Sequence, residues 1–356
     1  MKQFQHLLYN YFLIPALACL FSTHTFAQSS DTLTIIGVGD IMIGTNFPSP
    51  IYLPPQDGAA MLEPVKEILQ DADVTFGNLE GTLLDSGGKV KSCKDTTICY
   101  AFRSPTRYGK YLQDVGFDMV SLANNHSGDF GPEGRMSTMK TLDSLQIKYA
   151  GLLTTPVTTF VKDSITYGLA AFAPNEGTCD IRNIPEAQRI IRELDQMVDI
   201  VIVSFHGGAE GSRFQHVTRK KEIFYEEDRG NVYEFAHKMI DAGADIIFGH
   251  GPHVTRSVDY YKNRFIIYSM GNFCTYARFN LKGENGLAPI VKVYINKEGE
   301  FLKAEITATK QVGEGGPQVD PENKVIQTLQ RLLASDFPEA PLKISNEGTI
   351  TKYTHK

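Results

Sequence analysis

The 356-residue sequence has no tryptophan, only 5 cysteines and a small net charge of −6. No two cysteines are spaced as Cys-x-x-Cys, so the sequence predicts neither a thiolate zinc cage nor a thioredoxin-like redox site. The charge balance gives no reason to expect nucleic acid as a partner. With 42% hydrophobic and 21% charged residues, the composition is typical of a folded globular protein rather than a disordered chain.

The first 27 residues have the pattern of a secretory signal peptide. Lys2 precedes an uninterrupted apolar run over residues 11–21, and a Thr-Phe-Ala sequence ends at Ala27. The run is well short of the roughly 20 residues that span a bilayer. We therefore expect cleavage after Ala27, export to the periplasm or cell surface, and no stable membrane span in the mature chain. An N-terminal membrane anchor and a lipid on Cys19 are the alternatives.

Cys93 and Cys99 lie six positions apart in a polar stretch. Export implies an oxidising compartment, so we predict a disulfide that closes a short loop between them. The alternative is two free thiols.

Apolar strand-like and helical segments alternate along the middle of the chain. The strand signals cover 32–38, 74–78, 118–123, 148–151, 157–173, 199–205, 244–249 and 264–270, and the helical signals cover 59–71, 105–116, 132–146, 185–197 and 231–242. This alternation predicts an α/β architecture with helices covering a sheet. A β-rich stretch follows, with one helix near 321–334, and we read the end of the chain as an extension packed on the same domain.

Polar residues that can bind a metal follow five of these strands. They are Asp40, Asn78 with Glu80, Asn125 with His126, His206, and His250 with His253. In an open α/β sheet, a ligand binds outside the carboxyl ends of the strands, so residues distant in sequence are expected to converge there. Any one of them alone is more simply explained as a turn or surface residue, but five in order predict a shared site.

The donor types indicate which metals such a site would hold. Imidazole and oxygen ligands without a thiolate suit Mn, Fe, Zn or Mg. A single catalytic zinc takes about three protein ligands, so the larger set predicts one or two divalent ions, with two bridged ions as the natural arrangement.

The segments GVGDIMIG, GNLEGTL, SLANNHSGDFGPEG, HGGAEG, GADIIFGHGPHV and YSMGNF together resemble the bacterial capsule-synthesis CapA family, associated with poly-gamma-glutamate production. The resemblance covers about Leu33 to Phe273. That family is similar to the calcineurin-like metallophosphoesterases, which implies a layered α/β/β/α sandwich with a second sheet that includes 157–173. On this basis residues 28–310 form the CapA-like domain and residues 311–356 the C-terminal extension.

The resemblance also implies roles for the first two motifs. Asp40 matches the first aspartate of an Asp-x-His motif, but Met42 stands where the histidine belongs. Asn78 occupies the place of the bridging aspartate, so Glu80 is expected to be the ligand and Asn78 to support it.

The remaining motifs match more closely. Asn125 is expected to bind metal, and His126 to act on the leaving group together with Asp40 as the catalytic pair. His206, His250 and His253 complete the expected ligand set, while Asp129 and Glu210 are expected to orient these ligands.

Two functions are compatible with this pattern. The first is an exported metal-dependent hydrolase or phosphoesterase that acts on an anionic polymer or a phosphorylated small molecule. The second is a non-catalytic binding or assembly protein that uses the same crevice, with other capsule-assembly proteins as possible partners. The altered first and second motifs favour the second function, and the retained histidines favour the first.

Overall fold

The computed structural model describes residues 32–92 and 99–353. The predicted signal peptide and Cys93 lie outside the described residues. The helices are α1 (Lys66–Leu69), α2 (Gly109–Asp114), α3 (Gly131–Ser144), α4 (Ile184–Asp195), α5 (Val232–Asp241) and α6 (Lys324–Asp336). The strands are β1 (Thr32–Met42), β2 (Val74–Leu79), β3 (Thr82–Leu83), β4 (Arg103–Ser104), β5 (Met119–Ser121), β6 (Lys148–Ala150), β7 (Val157–Lys162), β8 (Ile165–Phe172), β9 (Ile200–His206), β10 (Ile223–Phe224), β11 (Glu227–Asp228), β12 (Ile246–His250), β13 (Thr255–Tyr261), β14 (Arg264–Met270), β15 (Asn272–Thr275), β16 (Leu287–Asn296), β17 (Phe301–Gln311), β18 (Pro317–Val319), β19 (Leu342–Ile344) and β20 (Thr349–Lys352).

The larger sheet has the order β19-β20-β17-β16-β1-β2-β5-β6, with β15 beside β1 and β18 beside β17. Its strands β15, β1, β2, β5 and β6 run parallel, and β16 to β20 add antiparallel partners. Residues 311–356 therefore contribute three strands, β18, β19 and β20, to the sheet that contains β1.

The second sheet has six strands in the order β13-β14-β12-β9-β8-β7. The four inner strands are parallel, while β13 and β7 are antiparallel edges. The predicted strands over 157–173 are β7 and β8 of this sheet, as the resemblance implied.

The two sheets pack face to face and helices cover their outer faces. Phe76 of β2 stacks on Phe248 of β12 with ring centroids 5.4 Å apart, which joins the sheets. On β1, Ile35 belongs to this inter-sheet core, whereas Ile36 packs with residues of α1, α2 and α3. Phe235 of α5 contacts rings on the other side of the second sheet. The predicted α/β/β/α sandwich is confirmed.

One predicted element is much shorter in the structure. The helix expected over 59–71 is a 3-10 turn at Glu63–Val65 followed by the four-residue α1. Pro64 explains the difference, because a proline has no N–H to donate and restricts the residue before it. In the described part of the chain, no helix is long and apolar enough to cross a membrane.

Candidate metal centre

Asp40 lies at the end of β1, where parallel strands of the larger sheet finish together. Its register partners are Asn78 on β2 and Asn272 on β15, and a bulge separates it from Gly37. A Cβ on Gly39 would lie 2.0 Å from the carbonyl oxygen of Gly271. The glycine before Asp40 therefore allows the close backbone approach that fixes this strand end.

Three side chains contact the buried carboxylate of Asp40. The Nδ1 atom of His250 lies 3.2 Å from Oδ1, and the Nδ1 atom of His253 lies 3.0 Å from Oδ2. The amide of Asn78 donates to Oδ1 at 2.8 Å. Burial alone would raise the pKa of Asp40, but the hydrogen bonds from the two histidines outweigh it and hold that pKa well below its usual range.

His253 lies between two carboxylates. Its Nε2 atom is 3.6 Å from Oε1 of Glu80, on the opposite side of the ring from Asp40. Burial opposes the charged form of the ring, but Glu80 and then Asp40 outweigh it and raise the pKa of His253 to about 10. Ligand atoms of Asp40, Glu80 and His253 all lie within 4.8 Å of one another.

Glu80 follows β2 and is completely buried. Both of its carboxylate oxygens lack a hydrogen-bond partner. Burial, and then the charge of Asp40, raise the pKa of Glu80 well above its ordinary value. Two unpaired carboxylate oxygens in the interior are costly unless a cation satisfies them.

His206 and His250 are neighbours on the second sheet. They end β9 and β12 and are paired in register. His250 follows Phe248 by two positions, so it points to the same inter-sheet face. Both ring nitrogens of His206 and the Nε2 atom of His250 are buried without a partner. Burial lowers the pKa of His206 well below its ordinary value, which keeps a lone pair available.

The loop after β5 adds an amide and an imidazole. The Oδ1 atom of Asn125 is buried without a partner. Asn124 fixes the loop, because its amide donates to Asn78 Oδ1 at 3.1 Å and its own Oδ1 accepts from the His126 backbone at 3.1 Å. The Nε2 atom of His126 lies 4.0 Å from Oε1 of Glu80.

Asp129 and Lys91 hold the other side of the His126 ring. The Nδ1 atom of His126 lies 2.8 Å from Asp129 Oδ2, and Lys91 Nζ lies 2.6 Å from Asp129 Oδ1. Burial lowers the pKa of His126, and the charge of Lys91 acts in the same direction while Asp129 opposes it. The ring is thus oriented with Nε2 toward Glu80.

The structure brings most of the predicted site residues together. Asp40, Glu80, His126, His250 and His253 are linked by the distances above, and Asn78 and Asp129 contact them directly. Glu210 instead forms an ion pair with Arg229 at 3.1 Å, and its charge contributes to the raised pKa of Glu80 and of His253. The unpaired oxygens and imidazoles fit a divalent cation with oxygen and nitrogen ligands, and the assignment of individual ligands stays a prediction.

The predicted disulfide is tested only in part, and two residues near His126 were not indicated by the sequence. Cys99 is disulfide-bonded, and its pairing with Cys93 stays a prediction because Cys93 lies outside the described residues. Sequence reasoning missed Lys91 and Phe102, whose ring centroid lies 4.4 Å from that of His126. Neither stands in a motif, so no local signal marks them.

Comparisons with known proteins place these motifs in a family. The chain is 27% identical over 350 residues to a capsule biosynthesis protein CapA from Bacillus anthracis, covering 92% of this chain and 80% of that protein. It is also 27% identical to a PGA biosynthesis protein CapA from Bacillus subtilis (strain 168), covering 69% of this chain and 64% of that protein.

A solved structure of a calcineurin-like phosphoesterase, YfkN from Bacillus subtilis, aligns with 86% of this chain and 97% of that chain, at 11% identity and a TM-score of 0.49. The family model described as bacterial capsule synthesis protein PGA_cap matches residues 34–277. The chain therefore belongs to the bacterial capsule synthesis protein PGA_cap family.

Proposed function

We propose that this protein is a metal-dependent hydrolase of the phosphoesterase type that acts during the synthesis of a capsule-type anionic polymer. Its substrate would be the anionic polymer itself, of the poly-gamma-glutamate type, or a phosphorylated small molecule. Removal of residues 1–27 would place the enzyme in the periplasm or at the cell surface, where other capsule-assembly proteins would be its neighbours.

The observation that carries this proposal is the set of buried polar atoms without hydrogen-bond partners on the predicted ligand residues. They are both oxygens of Glu80, both ring nitrogens of His206, Nε2 of His250 and Oδ1 of Asn125. A structural polar cluster satisfies its atoms internally, because an unpaired buried polar group costs about 1–3 kcal/mol. A site built for a cation leaves its ligand atoms unpaired until the cation binds.

Asp40, Glu80, Asn125, His206, His250 and His253 would hold the ion or ions. A bound divalent metal would activate a water molecule and neutralise charge on the departing group. The protein's own contribution would include His126, whose Nδ1 lies 2.8 Å from Asp129 Oδ2, so that Nε2 faces the site. Protonated at Nε2, this ring is placed to give its proton to a departing oxygen.

One observation favours the second function, a non-catalytic binding or assembly protein. Asn78 donates to Asp40 and accepts from Asn124, so its amide is already occupied by hydrogen bonds. A neutral amide in this state does not supply a bridging charge between two metal ions. The crevice would then bind an anionic chain with a single ion and without turnover.

A hydrolysis assay separates the two functions. The purified protein would be treated with chelator, dialysed, reloaded with Mn²⁺, and assayed with p-nitrophenyl phosphate and bis-p-nitrophenyl phosphate. We expect His126→Gln to lower kcat by about 10²–10⁴-fold while metal content is retained. The matched control is His216→Gln, because His216 is 62% exposed and pairs with Asp336 outside the site.

Elemental analysis of the same samples completes the test. Metal bound at about one equivalent per chain, without hydrolysis of either ester, supports the binding function and contradicts phosphoesterase activity. Hydrolysis that is unchanged in His126→Gln contradicts the role of this ring.

A further inference from the structure

The guanidinium of Arg278 lies against two tyrosine rings close to the candidate metal centre. Its Cζ atom is 4.8 Å from the ring centroid of Tyr52 and 4.8 Å from that of Tyr100. Contacts with two aromatic rings restrict the side chain to one place. Arg278 is therefore held in position before any ligand arrives.

Within residues 32–92 and 99–353, Arg278 has no anionic partner. Among the described residues, no carboxylate lies within ion-pair distance of it, and its Nε atom is buried without a hydrogen-bond partner. Arg219 is a useful contrast, because it lies over the rings of Tyr233 and Phe337 but pairs with Glu339. A guanidinium offers five N–H donors, so the donors of Arg278 remain open to an external anion.

Aromatic contacts connect Arg278 to His126. The Tyr100 ring stacks on Phe102 with centroids 6.4 Å apart, and Phe102 in turn lies 4.4 Å from the His126 ring. The backbone N–H of Phe102 donates to Asp129, the same carboxylate that holds His126. Two aromatic rings, Tyr100 and Phe102, thus lie between Arg278 and the proposed proton donor.

Phe279, which follows Arg278 in the chain, lies beside the ring of His253. The Phe279 ring lies 5.2 Å from Phe102 and 6.2 Å from His253, measured between centroids. Two adjacent residues therefore supply the aromatic ring of Phe279 beside His253 and the positive charge of Arg278.

The backbone of this segment is strained. Ala277 and Arg278 both have left-handed conformations, with φ of 50° and 54°. The segment is fixed by hydrogen bonds from Ala277 N to Glu314 O at 2.9 Å and from Tyr276 N to Met42 O at 3.1 Å. Two successive non-glycine residues in this region are unfavourable, so these hydrogen bonds hold the segment in a conformation that it would not adopt by itself.

We propose that Arg278 binds a second anionic group of the substrate, a carboxylate or phosphate that lies apart from the reacting group at the metal centre. This inference rests on the proposed function, since it assigns the substrate class of the same site. The planar guanidinium can take two oxygens of a carboxylate or phosphate at once, which an ammonium cannot. The rings of Tyr100 and Phe279 would contact the connecting part of the substrate.

This role of Arg278 predicts a substrate with at least two anionic groups, either a polymer or a smaller molecule. A small ester with one anionic group would occupy the metal centre without reaching Arg278. A polymer with a regular series of carboxylates or phosphates would fill both positions.

The test is a calorimetric titration of the Mn²⁺-loaded full-length mature chain with γ-linked triglutamate and, separately, with inorganic tripolyphosphate, each of which carries several anionic groups. The variants are Arg278→Gln, Arg278→Lys and the control Arg219→Gln. We expect Arg278→Gln to weaken binding of at least one probe by about tenfold or more, as for loss of a charged hydrogen bond. Arg278→Lys should recover only part of the affinity, and Arg219→Gln should bind as the wild type does.

The two probes identify the anion. A loss confined to triglutamate assigns a carboxylate, and a loss confined to tripolyphosphate assigns a phosphate group. Wild-type affinity of Arg278→Gln for both probes, or no binding of either probe by the wild type, overturns the inference. Metal content of the same samples reports on the metal centre separately, so failure of the Arg278 site is distinguishable from failure of the proposed function.

Discussion

The Nδ1 atom of His253 lies 3.0 Å from the Oδ2 atom of Asp40, although 213 positions separate the two residues in the chain. This contact joins the end of β1 in the larger sheet to the loop after β12 in the second sheet. The candidate metal centre is thus formed by both sheets, and it depends on their packing.

We predict that metal affinity rises with pH. The pKa of His253 is raised to about 10 by Glu80 and Asp40, so the ring carries a proton at neutral pH in the metal-free protein. A metal binds the neutral ring and must displace that proton. Affinity for Mn²⁺ should therefore increase by about tenfold per pH unit between about pH 6 and pH 8. Titrations in two buffers of different ionisation enthalpy should show at least one proton released, and pH-independent affinity would contradict the prediction.

We predict that Glu80→Gln weakens metal binding without lowering the stability of the metal-free protein. Glutamine has the same shape and removes a buried carboxylate without hydrogen bonds, which offsets the lost attraction between Glu80 and His253, so the metal-free variant should be about as stable as metal-free wild type. The stabilisation gained on adding Mn²⁺ should fall by about 1.4 kcal/mol for each tenfold loss of affinity. Urea unfolding with and without metal measures both quantities. An equal gain on metal addition in both proteins would show that Glu80 is not a ligand.

The motifs at the strand ends were predictable because they depend on short-range patterns. Apolar runs such as 199–205 locate strands, and a polar residue at the end of each run marks the edge where ligands bind. The fold layers followed from the family resemblance, since the alternation of elements alone suggested a single sheet. Strands β13 and β15 gave no signal, because TRSVDYY mixes polar and apolar residues and NFCT is only four residues long.

Contacts across the fold were not predictable in the same way. Lys91 reaches Asp129 and Arg278 reaches Tyr52 from loops whose sequences carry no motif. The spacing of His250 and His253 left open whether both belong to the site. In the structure both rings contact Asp40, and His253 does so from a left-handed backbone conformation.

We predict that Met42 limits the centre to one tightly held ion. A thioether is a weak ligand for Mn or Zn, and Met42 is buried two positions after Asp40. Met42→His should raise the metal content above that of wild type, measured by elemental analysis after dialysis. Met42→Leu is the control, since it keeps the apolar volume and should leave metal content unchanged. Two equivalents per chain in dialysed wild type would refute this prediction.

We predict that Asp129 is a positioning residue for His126. Asp129→Asn keeps the side-chain shape but removes the negative charge that contacts Nδ1 of His126 and Nζ of Lys91. Turnover of p-nitrophenyl phosphate should fall by about 10–100-fold, with an altered pH profile and unchanged metal content. A purely structural role would instead lower stability and metal content together and leave the shape of the pH profile unchanged.

We predict that Cys93 and Cys99 form a disulfide in the exported protein. The structure shows Cys99 disulfide-bonded and Cys179 and Cys274 as free thiols. Closing so short a loop should stabilise the protein by about 2–3 kcal/mol in the chain-entropy model. The unreduced, unfolded mature protein should therefore have two reactive thiols, and a count of four would contradict the pairing.

Anomalous X-ray scattering at the zinc edge, from crystals grown with Zn²⁺, tests most directly whether Asp40, Glu80 and His253 form a metal centre. Zn²⁺ suits this ligand set, because it binds such oxygen and nitrogen sites more tightly than Mn²⁺ does. The account predicts an anomalous peak about 2.0–2.2 Å from ligand atoms of these residues. A map with no peak at this site, or with peaks only at surface residues, would contradict it.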